Sequence, residues 1–141
     1  MKHLLPFLAG LIAFMVISSV YYMGIVAYPS SACVVPEDQM QANFGMMLLG
    51  NALMVGLAAH LIQLGGQLSA AAGVRQGAIA GLTANGMLNV FVFAFFTCEG
   101  GHIFSMTETI QDIVANVVMM AGTGAVIGLM YARGEAKTQA A

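Results

Sequence analysis

Charged residues are scarce in this sequence, and tryptophan is absent. Only 7% of the residues are charged, whereas soluble domains carry roughly 25%. So few charges cannot cover the water-facing surface of a globular domain. Without a basic stripe, the sequence also excludes a nucleic-acid partner. We therefore expect a lipid bilayer to surround most of the chain, with tyrosines as its interfacial anchors.

Long apolar runs fill most of the 141 residues, of which 60% are hydrophobic. A transmembrane helix needs about 20 consecutive apolar residues. Four runs meet this length, and their cores lack Lys, Arg, Asp and Glu. The pattern predicts an all-α fold in one domain, a four-helix transmembrane bundle with up-down-up-down topology. The predicted spans are residues 4–26, 43–64, 77–96 and 113–131, followed by a short polar tail at 134–141 that we expect to fray.

The segments between these runs carry turn and capping signals. Pro36 followed by Glu37 and Asp38 is typical of the first turn of a helix, so the second helix is expected to begin before its apolar run. Gly65-Gly66 marks the end of that helix. The sequence 105–108, Ser-Met-Thr-Glu, fits a capping box for the fourth helix.

The charged residues are distributed unevenly between the loops. All the basic residues fall on one predicted side, and most acids fall on the other. Because Lys and Arg favour the cytoplasmic side, this distribution predicts cytoplasmic N and C termini in a bacterial inner membrane. The basic residues are Lys2, Arg75, Arg133 and Lys137; the acids opposite them are Glu37, Asp38, Glu99, Glu108 and Asp112.

Cys33 and Cys98 are the only two cysteines, and both fall in predicted outer loops. On that side of a bacterial inner membrane the compartment is oxidising. A disulfide between them would connect the first helical hairpin to the second. The alternative is two unpaired thiols that share a side of the membrane.

Polar side chains inside the spans form a layer that extends from the midplane to the outer surface. Asn85 and Asn89 are four residues apart and so lie on one helix face. The layer is either a polar pocket that opens outward or a set of interhelical hydrogen bonds, each worth roughly 1 kcal/mol or less; we favour the second interpretation. Its members are Ser18, Ser19, Tyr22, Asn51, Asn85, Asn89 and Asn116.

Histidines and acids offer two further candidate sites. His60, near the inner end of the second helix, is a candidate haem ligand or proton carrier. A bis-histidine haem needs a second intramembrane histidine; His3 is terminal and His102 lies in an outer loop, so we expect a structural role for His60. The outer acids with His102 could bind a metal, but their places in first helical turns are explained by the helix dipole. We predict neither a metal nor a cofactor.

Glycines recur at four-residue spacing in two of the helices. The segments 77–81 and 124–128 both begin and end with glycine. Such small-residue patterns let helices approach closely, either within the bundle or between protomers.

Four segments together resemble a known family. They are the first-helix stretch 12–22, the second-helix end 57–62, the third-helix start 77–82 and the last-helix stretch 124–128. In order and spacing they are similar to the domain-of-unknown-function 1761 family, although Tyr21-Tyr22 stands where that family has a Trp-Tyr pair. The resemblance implies a four-helix bacterial inner-membrane protein and supplies no catalytic residues.

Two classes of function follow from these patterns. The first is a non-enzymatic membrane protein, either a homo-oligomer or an accessory subunit of a larger complex. The second is a small transporter, channel or ligand-binding bundle that uses the polar layer. We favour the first, and the direction in which the asparagines point discriminates between them.

Overall fold

A computed structural model describes residues 3–25, 33, 43–98 and 101–139 of the chain. The described residues contain four helices that are long and apolar enough to cross a membrane. We label them α1 (Leu4–Gly24), α2 (Phe44–Leu64), α3 (Ala70–Phe95) and α4 (Met106–Gln139). The expectation of an all-helical fold with four helices long and apolar enough to span a membrane is confirmed.

Capping residues set the start of α3 and α4. The Ser69 side chain accepts a hydrogen bond from the Ala72 backbone N–H (3.2 Å) at the start of α3. The predicted capping box of α4 is confirmed: the Ser105 N–H donates to Glu108 Oε2 (2.7 Å), and the Glu108 N–H donates to Ser105 Oγ (3.2 Å). Both caps satisfy backbone donors that a helix start leaves without partners.

Two expectations about helix ends are wrong. Arg75, expected in a loop, is the sixth residue of α3, and the tail expected to fray is helical as far as Gln139. Both helices continue past their apolar runs because good helix formers such as Ala, Gln and Glu extend them into polar sequence. Apolar length therefore indicates the part of a helix that suits lipid, not the whole helix.

The second helix ends where the sequence predicts. Its last residue is Leu64, and Gly66 adopts a positive φ of 67° just beyond it. Glycine adopts this backbone conformation without steric cost. The predicted first turn of this helix, from Pro36 to Asp38, lies outside the described residues.

Glycines bring α3 and α4 into close contact. A Cβ atom added at Gly73 would overlap the Gly124 carbonyl oxygen, and one added at Gly77 would overlap that of Met120. At Gly81 it would lie 2.7 Å from the Asn116 carbonyl oxygen. The small-residue segments of α3 and α4 therefore pack against each other within one chain. Of the two expected roles, contact within the bundle or contact between protomers, the structure shows the first.

A core of apolar side chains lies between the helices. Most of its buried members come from α2 and α4, and Phe14 of α1 and Ala80 of α3 join them. Gly10 lets α1 approach, since a Cβ atom there would lie 2.5 Å from Ile127 Cγ1. Large apolar side chains are also exposed along all four helices, as expected for a bundle surrounded by lipid.

A short β-hairpin connects α3 to α4. Its strands are β1 (Thr97–Cys98) and β2 (Gly101–His102), paired antiparallel with Thr97 opposite His102. The Sγ atoms of Cys33 and Cys98 lie within bonding distance, with Cα atoms 6.1 Å apart, inside the range that a disulfide requires. We call the end of the bundle with the β-hairpin and Cys33 the hairpin end. We call the opposite end, with His3, residues 65–69 and Tyr131, the terminal end.

Candidate functional site

The structure divides the predicted polar layer into two groups. Tyr22, Asn85, Asn89 and Asn116 come together at the hairpin end, where α1, α3 and α4 meet. The remaining members, Ser18, Ser19 and Asn51, do not join them. We call Tyr22, Asn85, Asn89, Asp112 and Asn116 the polar cluster.

Asp112 is the centre of the polar cluster. Its carboxylate accepts hydrogen bonds from the Tyr22 hydroxyl (2.6 Å), Asn89 Nδ2 (3.0 Å) and Asn116 Nδ2 (3.2 Å). The Asn116 amide also donates to the Tyr22 oxygen at 3.2 Å. One carboxylate thus holds donors from three helices, and hydrogen bonds to a charged acceptor are about twice as strong as neutral ones.

Asn85 extends the polar cluster along α3. The Asn89 amide donates to the Asn85 side-chain oxygen and, at 3.1 Å, to the Asn85 carbonyl oxygen. Asn85 ends a π-helical segment, Gly81–Asn85, in which Thr83 Oγ1 donates to the Ile79 carbonyl oxygen at 2.8 Å. A π turn holds one more residue than an α turn, so it shifts the helix face that the following residues present.

The other predicted members of the layer lie apart for different reasons. The Ser18 hydroxyl donates to the Met15 carbonyl oxygen of its own helix (3.1 Å), and Ser19 is exposed. Asn51 is half-buried on α2, and no hydrogen bond of its side chain occurs within the described part of the chain. As far as the structure is described, α2 therefore contributes no side chain to the polar cluster.

The helix dipole, the only role expected for Asp112 from the sequence, does not account for its side-chain contacts. Because α4 begins at Met106, Asp112 is the seventh residue of the helix, at the end of its second turn rather than in the first. The signal was its spacing: Asp112 lies four residues before Asn116, hence on the same helix face. The predicted fourth span began at residue 113, so Asp112 was not compared with Asn116 as a residue of the same helix face.

His102 and Glu108, two of the groups considered for a metal, have structural partners. The His102 ring stacks on Phe93 with ring centroids 4.0 Å apart, and its Nδ1 lies 2.9 Å from the Phe93 carbonyl oxygen. Glu108 belongs to the capping box. The described residues include no group of three or more His, Cys, Asp and Glu able to hold a metal; Glu37, Asp38 and Glu99 lie outside them.

His60 lies in an open cleft at the terminal end. The cleft measures about 350 Å³ and is also lined by His3, Gln63 and Tyr131. His3, expected from the sequence only to be terminal, lies at the same cleft as His60, because α1 and α2 meet at this end. The spacing of His60 and Gln63 placed them on one face, but no sequence signal indicated His3 or Tyr131.

Comparisons with protein-family models, curated proteins and solved structures find no match. The similarity to the domain-of-unknown-function 1761 family therefore stays a prediction. The contacts of the polar cluster and of the cleft carry the functional argument.

Proposed function

We propose that this chain is a non-enzymatic multi-pass membrane protein that works as a homo-oligomer or as an accessory subunit of a membrane complex. One observation carries the proposal. The Tyr22 hydroxyl and the Asn89 and Asn116 amides donate to acceptors of the same cluster, so these polar groups join helices of one chain.

A transporter, channel or ligand-binding bundle built on this layer is the alternative, and the cluster disfavours it. A transport site needs polar groups that exchange partners with a substrate. Here the Asp112 carboxylate already accepts three side-chain hydrogen bonds. If a substrate took the place of these hydrogen bonds at Asp112, their donors would lose their acceptor. Each buried donor without a partner costs about 1–3 kcal/mol.

Asn51 supports an interaction between chains. Its amide is half-buried on an apolar helix and has no hydrogen bond among the described residues. An amide both donates and accepts, so the same residue of a second copy satisfies it across a twofold axis. Polar side chains at such positions stabilise helix association in membranes by about 1 kcal/mol.

The proposed orientation is up-down-up-down with both termini in the cytoplasm of a bacterial cell and the chain in the inner membrane. Contacts between helices support the alternation: Gly10 lies near Ile127 and Tyr22 near Asp112, so the numbers rise along α1 as they fall along α4. Arg75 and Arg133 support a cytoplasmic terminal end. The disulfide supports an oxidising compartment at the hairpin end.

Native mass measurement in a mild detergent tests the proposal. We expect a mass above the 14.7 kDa of one chain, from further copies or from a different protein. Asn51→Leu is expected to weaken association of a homo-oligomer about fivefold and so raise its monomer fraction, whereas Gln111→Leu, which removes an exposed amide on α4, leaves that fraction unchanged. A wild-type protein that remains a lone monomer when extracted under the mildest conditions contradicts the proposal.

A further inference from the structure

The cleft at the terminal end has one polar side and one apolar side. His3, His60, Gln63 and Tyr131 supply the polar side. Leu4, Phe7 and Ala59 supply the apolar side, together with Gly56. Binding sites for small molecules combine a mostly apolar wall with a few polar groups that orient the ligand.

The polar side offers hydrogen-bond donors. The Gln63 amide donates to the Tyr131 hydroxyl oxygen, so the Tyr131 hydroxyl proton is left to donate elsewhere. No acceptor for that proton lies among the described residues. His60 is exposed and adds a ring N–H, and the His3 ring lies 6.0 Å from that of Tyr131. These groups match the carbonyl oxygens of a ligand.

The apolar side has room for a ring or chain because of Gly56. A Cβ atom added there would meet only Phe7, at 3.8 Å. A larger side chain at this position of α2 would therefore occupy the cleft rather than the core. Phe7, half-buried beside the cleft, provides an aromatic surface on which a flat ring packs.

We propose that this cleft binds a neutral lipid-soluble ligand with ring carbonyl oxygens and an apolar tail, the chemistry of an isoprenoid quinone. None of the described residues that line the cleft is Lys, Arg, Asp or Glu. An anionic lipid headgroup is bound through Lys or Arg, whereas neutral carbonyl oxygens need only the donors present here. His60 is four residues before the end of α2, so the ring lies near the membrane surface and the tail enters the lipid.

Ligand binding by the full chain in phosphatidylcholine nanodiscs tests this site, with decylubiquinone as the probe. The apparent Kd is measured from the rise in the midpoint of thermal unfolding, followed by circular dichroism. Gly56→Leu fills the cleft and is expected to weaken binding at least tenfold. Its matched control is Gly45→Leu, three turns earlier on α2, where a Cβ atom meets nothing within 4 Å and binding should be unchanged.

His60→Leu is the second variant, because this side chain is exposed and lies outside the apolar core. Losing one hydrogen bond of about 1 kcal/mol weakens binding about fivefold. Decylubiquinone that stabilises wild type, Gly56→Leu and His60→Leu equally overturns the proposal. If phosphatidylglycerol stabilises the wild type and the quinone does not, the cleft is an anionic lipid site and the proposal is overturned. The proposal is also overturned if neither ligand changes the unfolding midpoint.

Discussion

At the scale of single residues, the Asp112 carboxylate connects α1, α3 and α4, because its oxygens accept hydrogen bonds from a side chain of each helix. The charge is tolerated in an apolar bundle since it is half-buried near the hairpin end and surrounded by donors. Removing only the acceptor is costly, because the donors remain in place without partners.

Asp112→Ala is therefore expected to lower the free energy of unfolding by about 1–3 kcal/mol. Unfolding in mixed micelles of dodecyl maltoside and increasing dodecyl sulfate, followed by circular dichroism, measures the change. Gln111→Ala, at the exposed neighbouring position of α4, is the control and should change it by less than about 0.5 kcal/mol. Equal stabilities for the two variants would show that the polar cluster does not hold the helices together.

Part of the polar cluster could be predicted from residue spacing. The four-residue spacing of Asn85 and Asn89 placed them on one face, and their hydrogen bond confirms it. The inclusion of Tyr22 and the exclusion of Asn51 could not be predicted, because both depend on which helices are neighbours. The sequence gives the height of a residue along its helix. It does not say toward which neighbouring helix the side chain points.

At the scale of helices, glycine determines how closely α3 and α4 approach. Gly73, Gly77 and Gly81 each face backbone atoms of α4, where any Cβ atom would collide. In a bilayer, close packing replaces the hydrophobic effect as the main force between helices. The contact between α3 and α4 is therefore sensitive to a single methyl group.

Gly77→Ala is expected to destabilise the bundle by about 1–3 kcal/mol, because the added Cβ atom overlaps the Met120 carbonyl oxygen. Gly86→Ala, on the same helix, places its Cβ atom 3.7 Å from Leu82 Cδ1 in ordinary contact. It should be neutral or stabilise by up to about 1 kcal/mol, since alanine favours helix more than glycine does. The same micelle unfolding assay compares them, and a Gly77→Ala protein as stable as Gly86→Ala would contradict the close contact.

The number of helices followed from the apolar runs, but their lengths did not. α3 begins seven residues before its apolar run, and α4 extends beyond its run at both ends. Hydropathy measures suitability for lipid, whereas backbone hydrogen bonding and caps set the ends of a helix. The π-helical segment and the β-hairpin had no signal in the pattern of apolar residues.

At the scale of the whole molecule, the two ends of the bundle differ in chemistry. The hairpin end carries the disulfide and the polar cluster. The terminal end carries the cleft with His3 and His60. The proposed orientation exposes these ends to different compartments, which makes it testable with reagents that do not cross a membrane.

Single cysteines in a Cys33→Ser, Cys98→Ser background test the orientation. Thr107→Cys, exposed at the hairpin end, should react with an impermeant maleimide in intact spheroplasts. Gln67→Cys, exposed between α2 and α3, should react only after the membrane is opened. The reverse pattern would place the termini outside and contradict the proposed topology.

The helical fold and the number of helices suited to a bilayer could be predicted from the sequence alone, because both follow from local composition: few charges, and apolar runs long enough to cross a bilayer. The sequence also predicted the capping box and the placement of Asn85 and Asn89 on one helix face, which depend on residues three or four apart. Three features depend on how the helices pack: Asp112 accepts hydrogen bonds from Tyr22 and two asparagines, the glycines bring α3 and α4 of one chain into contact, and His3 lies beside His60 in a cleft. Those relations join helices distant in sequence, and local spacing carries no information on which faces of two helices meet.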